Sequence, residues 1–216
     1  YLDVTKLKIM ETDRKWIVVR IDGKLAGISR NFDRLAEISA RIAETQKQKA
    51  EKGQQSAILP YKEICATAAD FDEVWKLKQS TGWDDLMLFG TDFQKKVWKK
   101  LWELTHPEDG SKPAKLLSYS DFADLCKNRA GVRAVAHAVG LNPLPVLIPC
   151  HLIVPKEAID RILDIQKKAE STIFKGEDLC HTSILKDNSI DFGEYALGKE
   201  MKRTLIAKEI GEGVNA

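Results

Sequence analysis

Asn142 to Pro155 reads NPLPVLIPCHLIVP: an apolar run broken by Pro143, Pro145 and Pro149 delivers a cysteine, then a histidine, before a second apolar run. Val146 to Ile148 predict a strand, and Pro149, which lacks a backbone donor and fixes φ, predicts its end. Cys150 then falls at a strand's exit into a turn, a position where a rigid scaffold commonly holds reactive groups. Two readings of the thiol stand at this point. A buried cysteine behaves as a small hydrophobe, whereas a thiolate whose pKa is lowered by a base or cation is a nucleophile. His151 does not decide between them, because adjacent side chains on an extended strand point to opposite faces.

Upstream, Gly131 to Val139, GVRAVAHAV, predicts a helix in which Gly131, Ala134, Ala136 and Ala138 leave little bulk, so that its surface can lie close to another. Arg133 is the long cation that projects from it. A shorter helix, opened by Ser118-Tyr119-Ser120 and running to about Cys126, joins it through a polar turn at Lys127-Asn128. The pair resembles a helix-turn-helix, and plain helical packing accounts for such a pair equally well. Before the turn-rich loop His106 to Lys115, Thr91 caps a helix with Phe93, Val97, Leu101 and Leu104 along one stripe.

Nearer the start, Lys15 to Ser29 places two β-rich runs around Asp22-Gly23, the signature of an antiparallel hairpin. Asn31 can cap a helix from Phe32 to about Lys52, with Leu35, Ile38, Ile42 and Ala43 at helical spacing and Gly53 as its stop. A short apolar patch at Ala57 to Leu59 and a helix near Phe71 to Lys78 follow. Beyond Pro155, Lys156 to about Glu170 reads as a charged helix, Gly193 to Gly198 as a turn, and Lys199 to Glu209 as a last helix with Met201, Leu205 and Ile206 inward.

The chain has 216 residues, 44% of them hydrophobic, and a net charge of +2. Such a composition is that of a globular domain or two with an ample core. The charge permits contact with a polyanion without demanding it. No apolar stretch approaches the roughly 20 residues that cross a bilayer, and the first residues lack the layout of a signal peptide, so no membrane and a cytoplasmic location are expected. Cys65, Cys126, Cys150 and Cys180 are far apart and form no C-x-x-C pair, which argues against a zinc knuckle and a disulfide framework. Free thiols in a reducing compartment fit best.

Taken in order, GTDFQKKVW, SYSDFADL, GVRAVAHAVGLNPLPVLIPCH and EYALGKEMKRTLIAKE resemble the methylated-DNA-protein-cysteine methyltransferases, also called O6-alkylguanine-DNA alkyltransferases. The likeness covers roughly Phe89 to Glu209. It implies an α/β N-terminal subdomain, residues 1–88, and a mainly helical, helix-turn-helix (winged-helix-like) C-terminal DNA-binding and active-site domain, residues 89–216. It also implies a reaction in which Cys150 takes an alkyl group from guanine O6 and keeps it as a thioether. His151 would act on Cys150 through a water, oriented by Glu209, and Asn142 would hold the turn before the cysteine. Tyr119 would help protonate the departing guanine and contact a phosphate. Arg133, on the small-residue helix with Ala134, would fill the gap left by a flipped base; the loop with Tyr195 and Ala196 would line the base pocket, and Lys202 would help to position it. The partner would be double-stranded DNA containing O6-alkylguanine, bound by a monomer with no cofactor and no metal, and associated with the nucleoid when on DNA.

Three features depart from the family pattern. Leu152 follows His151 where the family has arginine. An insertion from about Pro155 to Phe192 replaces a short loop, and it carries an isolated Cys180-His181. Ala196 and Leu197 stand where the family has serine and glycine, and Leu197 is expected to narrow the pocket. Two other functions compete with alkyl transfer: a non-catalytic sensor that binds alkyl lesions, and a Cys-His hydrolase.

Overall fold

In a computed structural model of the chain, residues 16–51, 63–106, 116–171 and 187–212 are described. They belong to two compact units, Tyr1–Trp102 with Leu141–Ile148, and Glu103–Gly140 with Pro149–Ala216. The helix that follows Thr91 and the loop before Pro149 fall in the first of these units. Ala57 to Leu59 and Cys180-His181 lie outside the described residues.

The first unit is built on the expected hairpin, β1 (Trp16–Ile21) and β2 (Lys24–Ser29). Asp22 and Gly23 both have positive φ, 48° and 81°, the conformation of the tight turn that suits strand twist. A third strand, β3 (Ile64–Ala69), pairs antiparallel with the other edge of β1, giving the order β2-β1-β3. Helix α1 (Phe32–Glu51) opens where Asn31 Oδ1 accepts from the Asp33 amide at 2.8 Å. Its Leu35, Ile38 and Ile42 join Ile17, Val19 and Ile21 in one core.

Helix α2 (Phe71–Ser80) starts with a reciprocal capping box between Asp70 and Glu73. Its Phe71 ring lies 6.1 Å from those of Trp16 and Trp75. Helix α3 (Asp92–Glu103) is capped by Thr91, whose hydroxyl accepts from the Gln94 amide while the Gln94 side chain accepts from Thr91. Its buried residues are Val97, Trp98, Leu101 and Trp102. Phe93 is exposed: the two tryptophans carry the buried stripe to the other side of Val97 and Leu101, away from Phe93.

The strand expected at Val146 to Ile148 is absent. Leu141–Ile148 is instead a largely buried loop, and several of its polar groups have identifiable partners. Asn142 Nδ2 donates to the Ile148 carbonyl at 2.8 Å, and its Oδ1 accepts from the Leu144 amide at 3.0 Å. Ile148 N–H donates to the Leu144 carbonyl, and Val146 sits at a φ of 78° that no strand contains. Arg41 Nη1 donates to the Leu141 carbonyl at 2.8 Å, Arg34 Nη2 to that of Asn142 at 3.0 Å, and the Ile28 amide to that of Pro143 at 2.9 Å. Leu144, Val146, Leu147 and Ile148 are fully buried. The run is apolar because the loop is enclosed.

In the second unit a short parallel pair, β4 (Leu117–Ser118) and β5 (Ile153–Val154), is surrounded by helices. Ser118 caps α4 (Tyr119–Leu125) by accepting from the Asp121 amide, and a turn with Lys127 at φ 54° leads into α5 (Val132–Gly140). Helix α6 (Lys156–Ser171), inside the insertion, packs through Ala158 and Ile162 on Val154, Ile190, Phe192 and the last helix's Ile206. That last helix is α7 (Lys199–Glu212).

A hydrogen bond to a part-buried carbonyl such as that of Leu141 contributes about 0.5–1.5 kcal/mol net. Arg41→Met, which keeps the aliphatic stem, should lower the free energy of urea unfolding by that amount; an unchanged midpoint would show that the Leu141 carbonyl does not depend on it.

Candidate functional site

The Pro149 carbonyl accepts from the Leu152 amide at 3.1 Å, closing a one-turn 3-10 helix, Cys150–Leu152. Cys150 and His151 are therefore successive residues of a three-residue turn, about 120° apart, and not on opposite faces of a strand. Cys150, only 7% exposed, lies against a pocket of about 220 Å³. This is smaller than the roughly 300–1,000 Å³ of pockets for drug-sized ligands. Tyr119 comes to it from the start of α4, Ala136, Val139 and Gly140 from α5, and Glu194, Tyr195 and Ala196 from the loop before α7. The thiol makes a long contact of 3.9 Å to the Tyr195 hydroxyl.

His151 is fully buried, with Nε2 3.0 Å from Glu209 Oε1 on α7. A carboxylate only accepts, so Nε2 carries the proton and a neutral ring offers Nδ1 as an acceptor. The Tyr195 ring stands edge-on to the imidazole, 6.4 Å between centroids. Lys202, also on α7 and 1% exposed, donates from Nζ to the Ile153 carbonyl at 2.8 Å. Burial pushes its pKa down to about 8, against the opposing pull of Cys150, Asp191 and Glu194. Tyr119 is pushed above its ordinary value by burial and then by a negative charge on Cys150.

The fold thus gathers Cys150, His151, Glu209, Tyr195 and Lys202 around one turn, with Tyr119 and Ala196 at the pocket. Arg133 and Ala134 are exposed on α5 and are not among the residues that line the pocket. Asn142 closes the loop 142–148 and bonds to Ile148, two residues before Cys150. Leu152 is a buried core residue. Leu197 is not among the residues that line the pocket, and Glu194, which the sequence reading passed over, is. Its position next to Tyr195 was the available signal. Among the described residues no group of three or more histidine, cysteine or acidic side chains is placed to hold a metal ion, and no helix is long and apolar enough to cross a membrane.

Residues 92–160 match the family model described as 6-O-methylguanine DNA methyltransferase, DNA binding domain. A probable methylated-DNA–protein-cysteine methyltransferase of Acanthamoeba polyphaga mimivirus is 44% identical over 72 residues, 33% of this chain and 44% of that protein. The inducible methylated-DNA–protein-cysteine methyltransferase of Bacillus subtilis is 34% identical over 93 residues, 38% of this chain and 48% of that protein. A crystal structure of Mycobacterium tuberculosis OGT in complex with DNA aligns at 26% identity and a TM-score of 0.37, over 58% of this chain and 54% of that one. The chain thus resembles the methylated-DNA–protein-cysteine methyltransferases, as its motifs imply, and it spans less than half the length of the two curated relatives above.

Lys202 gives a pH signature. Below about pH 8 it is charged in both folded and unfolded chains; between 8 and 10.5 the unfolded chain still holds a proton that the folded one has released, so stability rises with pH. The gain over that window is on the order of 3 kcal/mol. Urea unfolding should show the wild type gaining on Lys202→Met by that amount from pH 8 to 10.5; parallel curves would contradict it.

Proposed function

We propose that this chain is a DNA repair protein that transfers the alkyl group of O6-alkylguanine in double-stranded DNA to its own Cys150, once and irreversibly. The observation that carries this reading is a buried cysteine at a small pocket, next to an imidazole held by a carboxylate at 3.0 Å. His151, its Nε2 proton engaged by Glu209, takes the thiol proton at Nδ1 through a water. The Cys150 sulfur attacks the alkyl carbon, a carbon–sulfur bond forms, and the carbon–O6 bond breaks with its electron pair left on guanine. Tyr119, at the pocket, supplies a proton to the departing base. The product thioether has no easy leaving group, so no second turnover follows.

The remaining groups fall into place around that chemistry. Lys202, a buried cation close enough to interact with Cys150, favours the thiolate and holds β5 beneath it. Asn142 fixes the turn that precedes the cysteine. Tyr195 and Ala196 line the base pocket. Helices α4 and α5 act as a helix-turn-helix within a winged-helix-like domain, residues 89–216. The exposed small residue Ala134 lets α5 enter the minor groove, about 6 Å wide, and Arg133 fills the stack vacated by the flipped guanine. Phosphate contacts make binding weaken with salt. The protein acts as a cytoplasmic monomer without a cofactor.

The test is mass spectrometry of intact protein and peptides after mixing excess protein with duplex DNA bearing one O6-methylguanine. One methyl group on the Cys150 peptide, equal in amount to the lesion and absent from Cys150→Ser, is the expected result. Tight lesion binding with Cys150 unmodified would replace transfer by the sensor reading, and repeated turnover would point to a hydrolase.

A further inference from the structure

Residues 187–193, the arm by which the insertion returns, are more firmly held than a connecting segment requires. Ile190 and Phe192 are buried at 2% and 4% exposure, in the cluster that contains Ala158 and Ile162 of α6 and Ile206 of α7. Arg203 of α7 covers the Phe192 ring at 4.9 Å. Its Nη2 donates to the Ile190 carbonyl at 2.7 Å, and both Nη atoms reach that of Asp187 at 3.4 Å. Asp187 in turn accepts from the Ser189 amide and hydroxyl, and pairs with Arg161 of α6 at 3.3 Å.

The hold continues toward the pocket. Asp191 accepts from the Gly193 amide at 2.9 Å and from Lys199 at 3.2 Å, and Lys199 also pairs with Glu194 at 3.1 Å. Gly193 has φ 82° and lies so near Pro155 that a Cβ would stand 3.0 Å from its ring, so any other residue would be strained at this turn. The next three residues, Glu194, Tyr195 and Ala196, form one wall of the pocket.

We infer that residues 187–193 are a clamp that fixes this wall, with Arg203 as its positioning residue, and that the fixed wall disfavours alkyl groups larger than methyl. The pocket holds about 220 Å³, and a wall that cannot shift gives it no additional room for a larger alkyl group. This wall is tied through Gly193 and Lys199 to an arm anchored on two helices. The selectivity rests on the proposed alkyl transfer; the clamping of the wall does not.

Arg203→Met removes the donors together with the guanidinium that lies over the Phe192 ring. Two readouts apply: single-turnover transfer from duplex O6-methylguanine and O6-benzylguanine, and hydrogen exchange of the amides of residues 194–198, with residues 119–125 as an internal control. Methyl transfer should fall by about tenfold, within the ~100-fold that a 1 Å misplacement can cost. The benzyl-to-methyl ratio should rise by about tenfold, the scale on which pocket size separates neighbouring substrates. Exchange should accelerate at 194–198 and not at 119–125. An unchanged ratio with wild-type protection at 194–198 would overturn the inference, as would equal losses for both substrates with faster exchange at 119–125 as well. If the wild type transfers no alkyl group, the proposed function fails and exchange alone decides the clamp: faster at 194–198 upholds it, unchanged overturns it. Should Arg203→Met not fold, Arg203→Lys, which keeps a charge but not the two-pronged donor geometry, is measured in its place.

Discussion

A buried imidazole N–H needs an acceptor, and Nε2 of the fully buried His151 finds one in Glu209, 58 residues later. This single bond sets much of the second unit. It requires α7 to run past the Cys150 turn, it fixes the tautomer of the ring, and it delivers Lys202, seven residues before Glu209, to the carbonyl of Ile153. Two turns of one helix thereby brace the 3-10 turn from its histidine and from its exit strand. Breaking either contact would leave a buried polar group without compensation.

The preceding loop obeys the same rule by other means. Its four apolar side chains are enclosed, so every carbonyl and amide that water cannot reach needs an internal partner. Asn142 supplies two of these from within the loop, and α1 supplies two more through Arg34 and Arg41. Val146 takes up a backbone conformation unusual for a β-branched residue, one that the surrounding bonds over-determine.

What could be read from the sequence follows from how local each signal is. The hairpin turn at Asp22-Gly23, the caps at Asn31 and Thr91, and the small-residue helix around Arg133 are set by neighbours a few residues away, and all stand where expected. β3 was missed because ICATAA has small residues and no clean alternation, and pairs only with a strand more than 40 residues earlier. Val146 to Ile148 misled because an apolar run is compatible with any enclosed backbone, and the long-range arginine bonds that make this one a loop leave no local trace. Glu209 and Lys202 could be connected to Cys150 only by family resemblance, since no local pattern links residues 50 positions apart. The role of Arg203 was not legible either, because it depends on where an irregular arm lies.

In the proposed reaction the Glu209–His151 pair makes Cys150 a nucleophile. Glu209→Gln keeps an acceptor for Nε2 and removes the charge that supports a protonated ring. The decisive measurement is its single-turnover rate on O6-methylguanine duplex beside its affinity for the same duplex. A rate lower by about 10²-fold with affinity preserved is the predicted result, the scale of general-base catalysis. A wild-type rate in folded Glu209→Gln would contradict the account.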